Sequence, residues 1–354
     1  MKIPPIMAID VGGGTQDILL YDPDQPIENA VKLVLPSPTV IAARRVAAVT
    51  RAGRPLFLSG RVMGGGAVGK AVRSHIESGL KVFSLPDPAL TLHDDLDKVA
   101  SWGVSLVESR PDGEAVEVVL GDVDLEAIGA TLSRFEVSLP QVTVLAIQDH
   151  GFSPRASNRL TRFAQWRRFL DAGGDIGGLI FPQPPAELTR WIAAARAAPG
   201  AFFMDTAAAA LRGAILDDWA AERLEAGLLA VNVGNEHTVA ALVRGRRVWG
   251  VYEHHTGLLD SARLADQMER FAAGDLAHED VFDQYGHGVA FQPGYRDLAP
   301  FHEVVVTGPN RALALGLGRM AAPYGEMMLS GCFGLVQAVR EHFQDRSERA
   351  AGSH

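Results

Sequence analysis

One cysteine, Cys332, stands in 354 residues, and that scarcity excludes two chemistries. No intrachain disulfide can form, which fits a reducing cytosol. A single thiol cannot supply the usual three or four ligands of an iron–sulfur cluster. Positive charge is also in deficit: the formal net charge is −9, which argues against a broad nucleic-acid surface. No uninterrupted apolar run approaches the length of a membrane span. No secretory leader is expected either, because Pro4 and Pro5 interrupt the start and Asp10 ends the first apolar run early. We expect a cytoplasmic protein with neither membrane nor nucleic acid as partner.

What is present is a 47% hydrophobic share with 21% charged residues, the balance of a well-cored protein. The length suits two domains or one bilobal unit. Two stretches look like versions of one device: residues 6–20, around Asp10-Val11-Gly12-Gly13-Gly14-Thr15, and residues 228–242, around Asn232-Val233-Gly234-Asn235-Glu236-His237-Thr238. Each reads as a buried strand, a glycine turn and a second buried strand. Glycines can reach positive φ and let several N–H groups converge on an anion, while an Asp can hold a hydrated divalent cation. Two such turns far apart in sequence point to one nucleotide held between two lobes.

Strands and helices alternate around these turns. Strands are expected at 142–147, 176–181 and 201–204, and helices at 157–170, 186–198 and 206–224. Residues 83–140 read as an inserted subdomain or cap. Another strand, 303–306, ends at Thr307-Gly308-Pro309-Asn310-Arg311, with a helix from Ala312. The lobes are expected at 1–215 and 216–354.

In this order the motifs resemble the superfamily of actin, the seventy-kilodalton heat-shock chaperones and the sugar kinases. They are a first phosphate loop at Asp10 to Asp17, a second at Asn232 to Thr238, and a strand-turn-helix at Val304 to Ala312 like the adenosine loop. The resemblance implies an α/β, two-lobed actin-like (ribonuclease H-like) ATPase fold with mixed sheets. It implies ATP and magnesium: Asp10 on the metal, and Gly12, Gly13, Gly14, Thr15 and Gln16 around the phosphates. Asn232, Gly234, Asn235, His237 and Thr238 would close from the other lobe, with Gly308 near the nucleoside. Asn232 stands where many ATP-hydrolysing members have a second Asp, and Pro309 where the adenosine loop has its second glycine. The whole sequence is also similar to a bacterial and archaeal family labelled as similar to the pyruvate formate-lyase activating enzyme. A radical activating enzyme needs a three-cysteine motif, so the fold is taken from the resemblance and that activity is not.

Other constellations carry two readings each. Gly64 to Lys70 nearly matches a P-loop but has Ala71 in place of the Ser or Thr; it is either an anion-binding helix start or close packing. Asp149 and His150 follow a central strand, where ligands collect in open sheets. Asp149 is either a general base or a turn cap, and His150 suits proton transfer near neutrality. Asp205 is either catalytic or a helix cap. His254 and His255, adjacent in a strand, point to opposite faces and should not share one metal.

The leading expectation is a protein binding ATP with magnesium, capable of phosphoryl transfer or hydrolysis if catalytic. The alternative is a non-catalytic nucleotide- or metabolite-binding scaffold or sensor with degenerate motifs. A third is an enzyme holding a small anionic substrate at Gly64–Lys70 and Asp149-His150.

Overall fold

A computed structural model of the chain describes residues 3–298 and 301–352. The chain opens with a meander, β1 (Ile6–Val11), β2 (Thr15–Tyr21) and β3 (Val31–Pro36). An insertion follows with β4 (Leu56–Gly60), β5 (Val82–Ser84), β6 (Val104–Leu106) and β7 (Val116–Leu120). The first sheet then resumes with β8 (Val142–Ile147) and β9 (Phe202–Met204). A second meander is β10 (Leu228–Val233), β11 (His237–Arg244) and β12 (Arg247–His255), followed by β13 (Gly288–Phe291), β14 (Glu303–Thr307) and β15 (Arg319–Met320).

The first sheet has the order β3-β2-β1-β8-β9 and the last has β13-β12-β11-β10-β14-β15. In each, an antiparallel meander is continued by two parallel strands beside its first strand. That repeated order is the ribonuclease H-like unit, used twice, as in the actin-like ATPases. The sheets share a core. Ile6, Ala8 and Leu19 from one and Leu228, Ala230 and Ala241 from the other pack on helices Thr206–Ala214 and Ser330–Gly352. These helices approach through glycines: a Cβ on Gly213 would stand 1.7 Å from Ser330 O, and one on Gly334 2.1 Å from Ala209 O.

Several expected boundaries move. The insertion is larger than 83–140, since its all-parallel sheet, β6-β5-β4-β7, begins at Leu56. Helix Pro38–Arg51 already lies in that sheet's core through Ala42, Val46 and Val49. A short buried strand looks the same in sequence whichever sheet it joins. The strand expected at 176–181 is a 3-10 turn, Ile176–Leu179, started by Asp175 accepting from Gly177 N. The helix expected at 206–224 stops at Ala214, because Asp217 caps a new turn by accepting from Trp219 N and also holds Ala322 N. The helix expected from Ala312 is one 3-10 turn, Arg311–Ala314. No described helix is long and apolar enough to cross a membrane.

Candidate functional site

The two glycine turns are built alike. Gly12 N donates to Thr15 O at 2.9 Å and Gly234 N to His237 O at 3.0 Å. Each is therefore a two-residue loop: Gly13-Gly14 in one lobe, Asn235-Glu236 in the other. Ser37 donates from N to Gly14 O and from Oγ to Gly13 O. Asn310 Nδ2 donates to Gly234 O and Thr256 N to Glu236 O. With these carbonyls occupied, no described bond takes the N–H of Gly13, Gly14, Asn235 or Glu236, which leaves four amides for an anion. The loop tips also meet. A Cβ on Gly14 would stand 2.8 Å from Asn235 Nδ2, and one on Gly13 3.1 Å from Glu236 Cγ. None of Gly12, Gly13, Gly14 and Gly234 takes a positive φ. The expected conformational reason for these glycines is thus corrected: Gly13 and Gly14 permit close approach between lobes, while Gly12 and Gly234 make room for the Thr15 and His237 carbonyls of their own turns.

Strand alternation decides which side chains enter the cleft. In β1 and β2 the residues facing the shared core are Ile6, Ala8, Leu19 and Tyr21, so Asp10 and Asp17 face the same way. They sit directly opposite each other across the pair. Both are buried, and each keeps one carboxylate oxygen, Oδ1, without a partner. Burial raises the Asp10 pKa well above the carboxylate range, and the Asp17 and Asp205 charges push it further. Burial lifts Asp17 to about 7, against a lowering contact from Thr15. Crowded carboxylates with orphan oxygens are what a divalent cation relieves. The donor set therefore fits magnesium at Asp10, with Asp17 beside it.

One cavity of about 340 Å³ gathers Asp10, Gly12, Gly13, Thr15 and Asp17 with Asn232, Gly234, Asn235, His237 and Gly308. His150, Arg190, His255 and Gly64 to Gly66 also line it. Gly308, at φ +102°, comes so near the second loop that a Cβ would stand 2.4 Å from Val233 O. Five expected site residues lie elsewhere. Gln16 and Thr238 hold corresponding places one residue out of phase with Asp17 and His237, so both point to the far face. Gln16 Nε2 donates to Pro36 O, and Thr238 Oγ1 bonds Thr256 Oγ1. Asp149 is a structural cap: Oδ1 accepts from Gly151 N, and Oδ2 from the N–H groups of Arg190 and Trp191. Asp205 caps helix Thr206–Ala214, accepting from Ala207 N and Ala208 N. Gly14 lies at the loop contact rather than on the cavity wall. Lys70 does not line this cavity; it lines a neighbouring depression that shares Gly65 and Gly66 with it.

The wall opposite the carboxylates is histidine-rich. His150 follows β8, His237 begins β11, His255 ends β12, and His287 precedes β13. The ring centroids of His237, His255 and His287 are 4.7 to 4.8 Å apart pairwise. Burial lowers all four pKa values, His150 to about 4 and His287 to about 2. Burial thus favours the neutral imidazole of His150. His254 turns the other way, against Tyr252, as alternation requires. Behind this wall Arg162 donates from Nε to Glu253 Oε2 at 3.1 Å and forms an ion pair with Asp205 at 2.8 Å. Trp166 Nε1 donates to Glu253 Oε2 at 2.7 Å. Arg190 grips Asp122 through two bonds of 2.9 Å, tying the insertion to the cleft. Sequence reading missed Arg162, Glu253, Arg190, Asp122 and His287, because long-range pairs leave no local pattern.

Residues 63–313 match the model of a family, DUF1786, whose description carries the words "pyruvate format-lyase activating enzyme". The chain is also similar to the ethanolamine utilization protein EutJ from Carboxydothermus hydrogenoformans, at 11% identity over 95% of this chain and 90% of that one, TM-score 0.29. It is similar to the inorganic polyphosphate/ATP-glucomannokinase from Arthrobacter sp. strain KM, at 15% identity over 96% and 98%, TM-score 0.34. The strand order and register, not these distant likenesses, define the fold. No curated protein matches the chain.

Proposed function

The chain belongs to the DUF1786 family, and from that premise and the cleft we propose that it is a cytoplasmic nucleotide-binding protein taking ATP with magnesium. The observation that carries this reading is the meeting of the two loops over one cavity, with unpartnered amides on both and Asp10 within it. The phosphates would lie against Gly12, Gly13, Gly234 and Asn235. Asp10 and Asp17 would hold the metal, which supplies charge neutralisation at the phosphates. Gly308, Pro309, Met327 and Met328 offer the less polar lining for a nucleoside. A small anionic substrate would enter beside Arg190 and the Gly66–Glu77 helix start.

The family description does not transfer as an activity. Cys332 is the sole cysteine, and its buried Sγ donates to Asp17 O at 3.1 Å; the donor set does not fit an iron–sulfur cluster.

Calorimetric titration of the full chain with Mg-ATP tests the proposal. Saturable binding that Asp10→Asn weakens is expected, and no binding across the common nucleotides defeats it. Asn232 gives the scaffold reading its own support, since the second lobe offers no carboxylate there. Binding without release or transfer of phosphate is the result that would select it.

A further inference from the structure

The histidine wall is more than cavity lining. We propose that His150, His237 and His287 form a binding site for a divalent transition-metal ion of the zinc class, with an open coordination position facing the cavity. The site is independent of the nucleotide reading, since it uses other residues on the opposite wall.

Each of the three offers a ligand nitrogen, and these atoms all lie within 4.8 Å of one another. Two nitrogens of a tetrahedral zinc site stand about 3.4 Å apart, from Zn–N bonds of about 2.0–2.1 Å. Small side-chain rotations would close the trio on an ion. His287 carries the strongest signal: it is wholly buried, and neither ring nitrogen has a partner. A buried imidazole with two unmet polar atoms is costly unless something outside the protein satisfies it. Its seat is tightly built. Its backbone N–H donates to Glu253 O at 2.9 Å, and a Cβ on Gly286 or Gly288 would stand 2.5 Å from His254 or 2.2 Å from His278.

The surroundings are those of a ligand set. His237 Nδ1 lies 3.4 Å from Glu253 Oε1; a ring proton on Nδ1 directed at that carboxylate leaves Nε2 as the ligand atom. A carboxylate behind a ligating histidine fixes the ring and raises its basicity. Glu253 is itself held by Arg162 and Trp166. Nitrogen-only donors favour zinc, copper, iron or nickel over magnesium. Three protein ligands with a fourth position open is the pattern of catalytic zinc sites. His150 and His237 line the same cavity as Asp10, so a water or substrate oxygen entering there can complete the coordination.

Cobalt(II) and zinc(II) are the probes. The full chain, stripped with chelator, is titrated with cobalt and followed by visible absorption. One equivalent should give the intense ligand-field bands of a low-coordinate nitrogen site, and zinc should displace it. His287→Ala and His150→Ala should abolish the bands and weaken zinc binding by more than about 100-fold, beyond the roughly 10- to 100-fold that changes to the residues behind the ligands cost. Asp10→Asn should leave the bands in place. If His287→Ala fails to fold, as judged by circular dichroism, His150→Ala at the cavity wall decides alone. Three results would overturn the proposal: no stoichiometric cobalt binding by the wild type, bands that survive both histidine variants, or bands lost in Asp10→Asn.

Discussion

Gly331 makes room for Asp10: a Cβ on Gly331 would stand 1.9 Å from Asp10 Oδ2. The helix Ser330–Gly352 thus closes directly on the carboxylate of the first strand, and only a residue without a side chain fits at its second position.

Gly331→Ala is expected to turn Asp10 out of place. Magnesium-dependent ATP affinity should fall about as far as in Asp10→Asn, and overpacking should cost about 1–3 kcal/mol of stability. Calorimetry and urea unfolding read the two effects separately; unchanged affinity would show that Asp10 does not depend on this contact.

Asp17 makes metal-free stability depend on pH. Its native pKa is raised to about 7, above an unfolded value of about 3.9. The native state therefore holds the proton more tightly, and stability from this group is lost as pH rises through that window. Asp17→Asn should exceed the wild type by about 1.5 kcal/mol at pH 5 and by at most about 4 kcal/mol near pH 8. The buried histidines work in the opposite sense, losing stability as pH falls below about 6.5, so the difference between the two proteins is the quantity to measure. A difference that does not grow with pH would rule the assignment out. Magnesium should shrink it.

Arg162 bridges Asp205 of one lobe and Glu253 of the other. Arg162→Met leaves two buried carboxylates without their cation and should cost about 3–5 kcal/mol, as breaking buried pairs does. Adding Glu253→Gln should recover part of that loss. If the two costs simply add in urea unfolding, the pair is not coupled.

The fold was legible where local pattern carries it. The continuous apolar runs of β1, β8 and β10 mark central strands, and the two turns mark the repeated unit. The site was legible where alternation applies, as in the separation of His254 from His255. Gln16 and Thr238 could have been excluded by the same period of two, which places them opposite Asp17 and His237. The histidine wall was not legible: His150, His237 and His287 come from three distant segments, and only closure of two sheets brings them together. Asp149 and Asp205 looked catalytic because a carboxylate at a strand end is equally suited to chemistry and to capping. Only the bonds each makes tell the two apart.

The helix Ser330–Gly352 also bears on how the protein is made. Its Cys332 Sγ reaches Ala8 O, 324 residues away along the chain, and Phe333, Val336 and Val339 cover Ile6, Ala8 and Leu19. The inner face of the first sheet is thus sealed by a helix made 324 residues later. During translation that face stays bare until this helix has left the ribosome, an interval in which chaperone protection matters most.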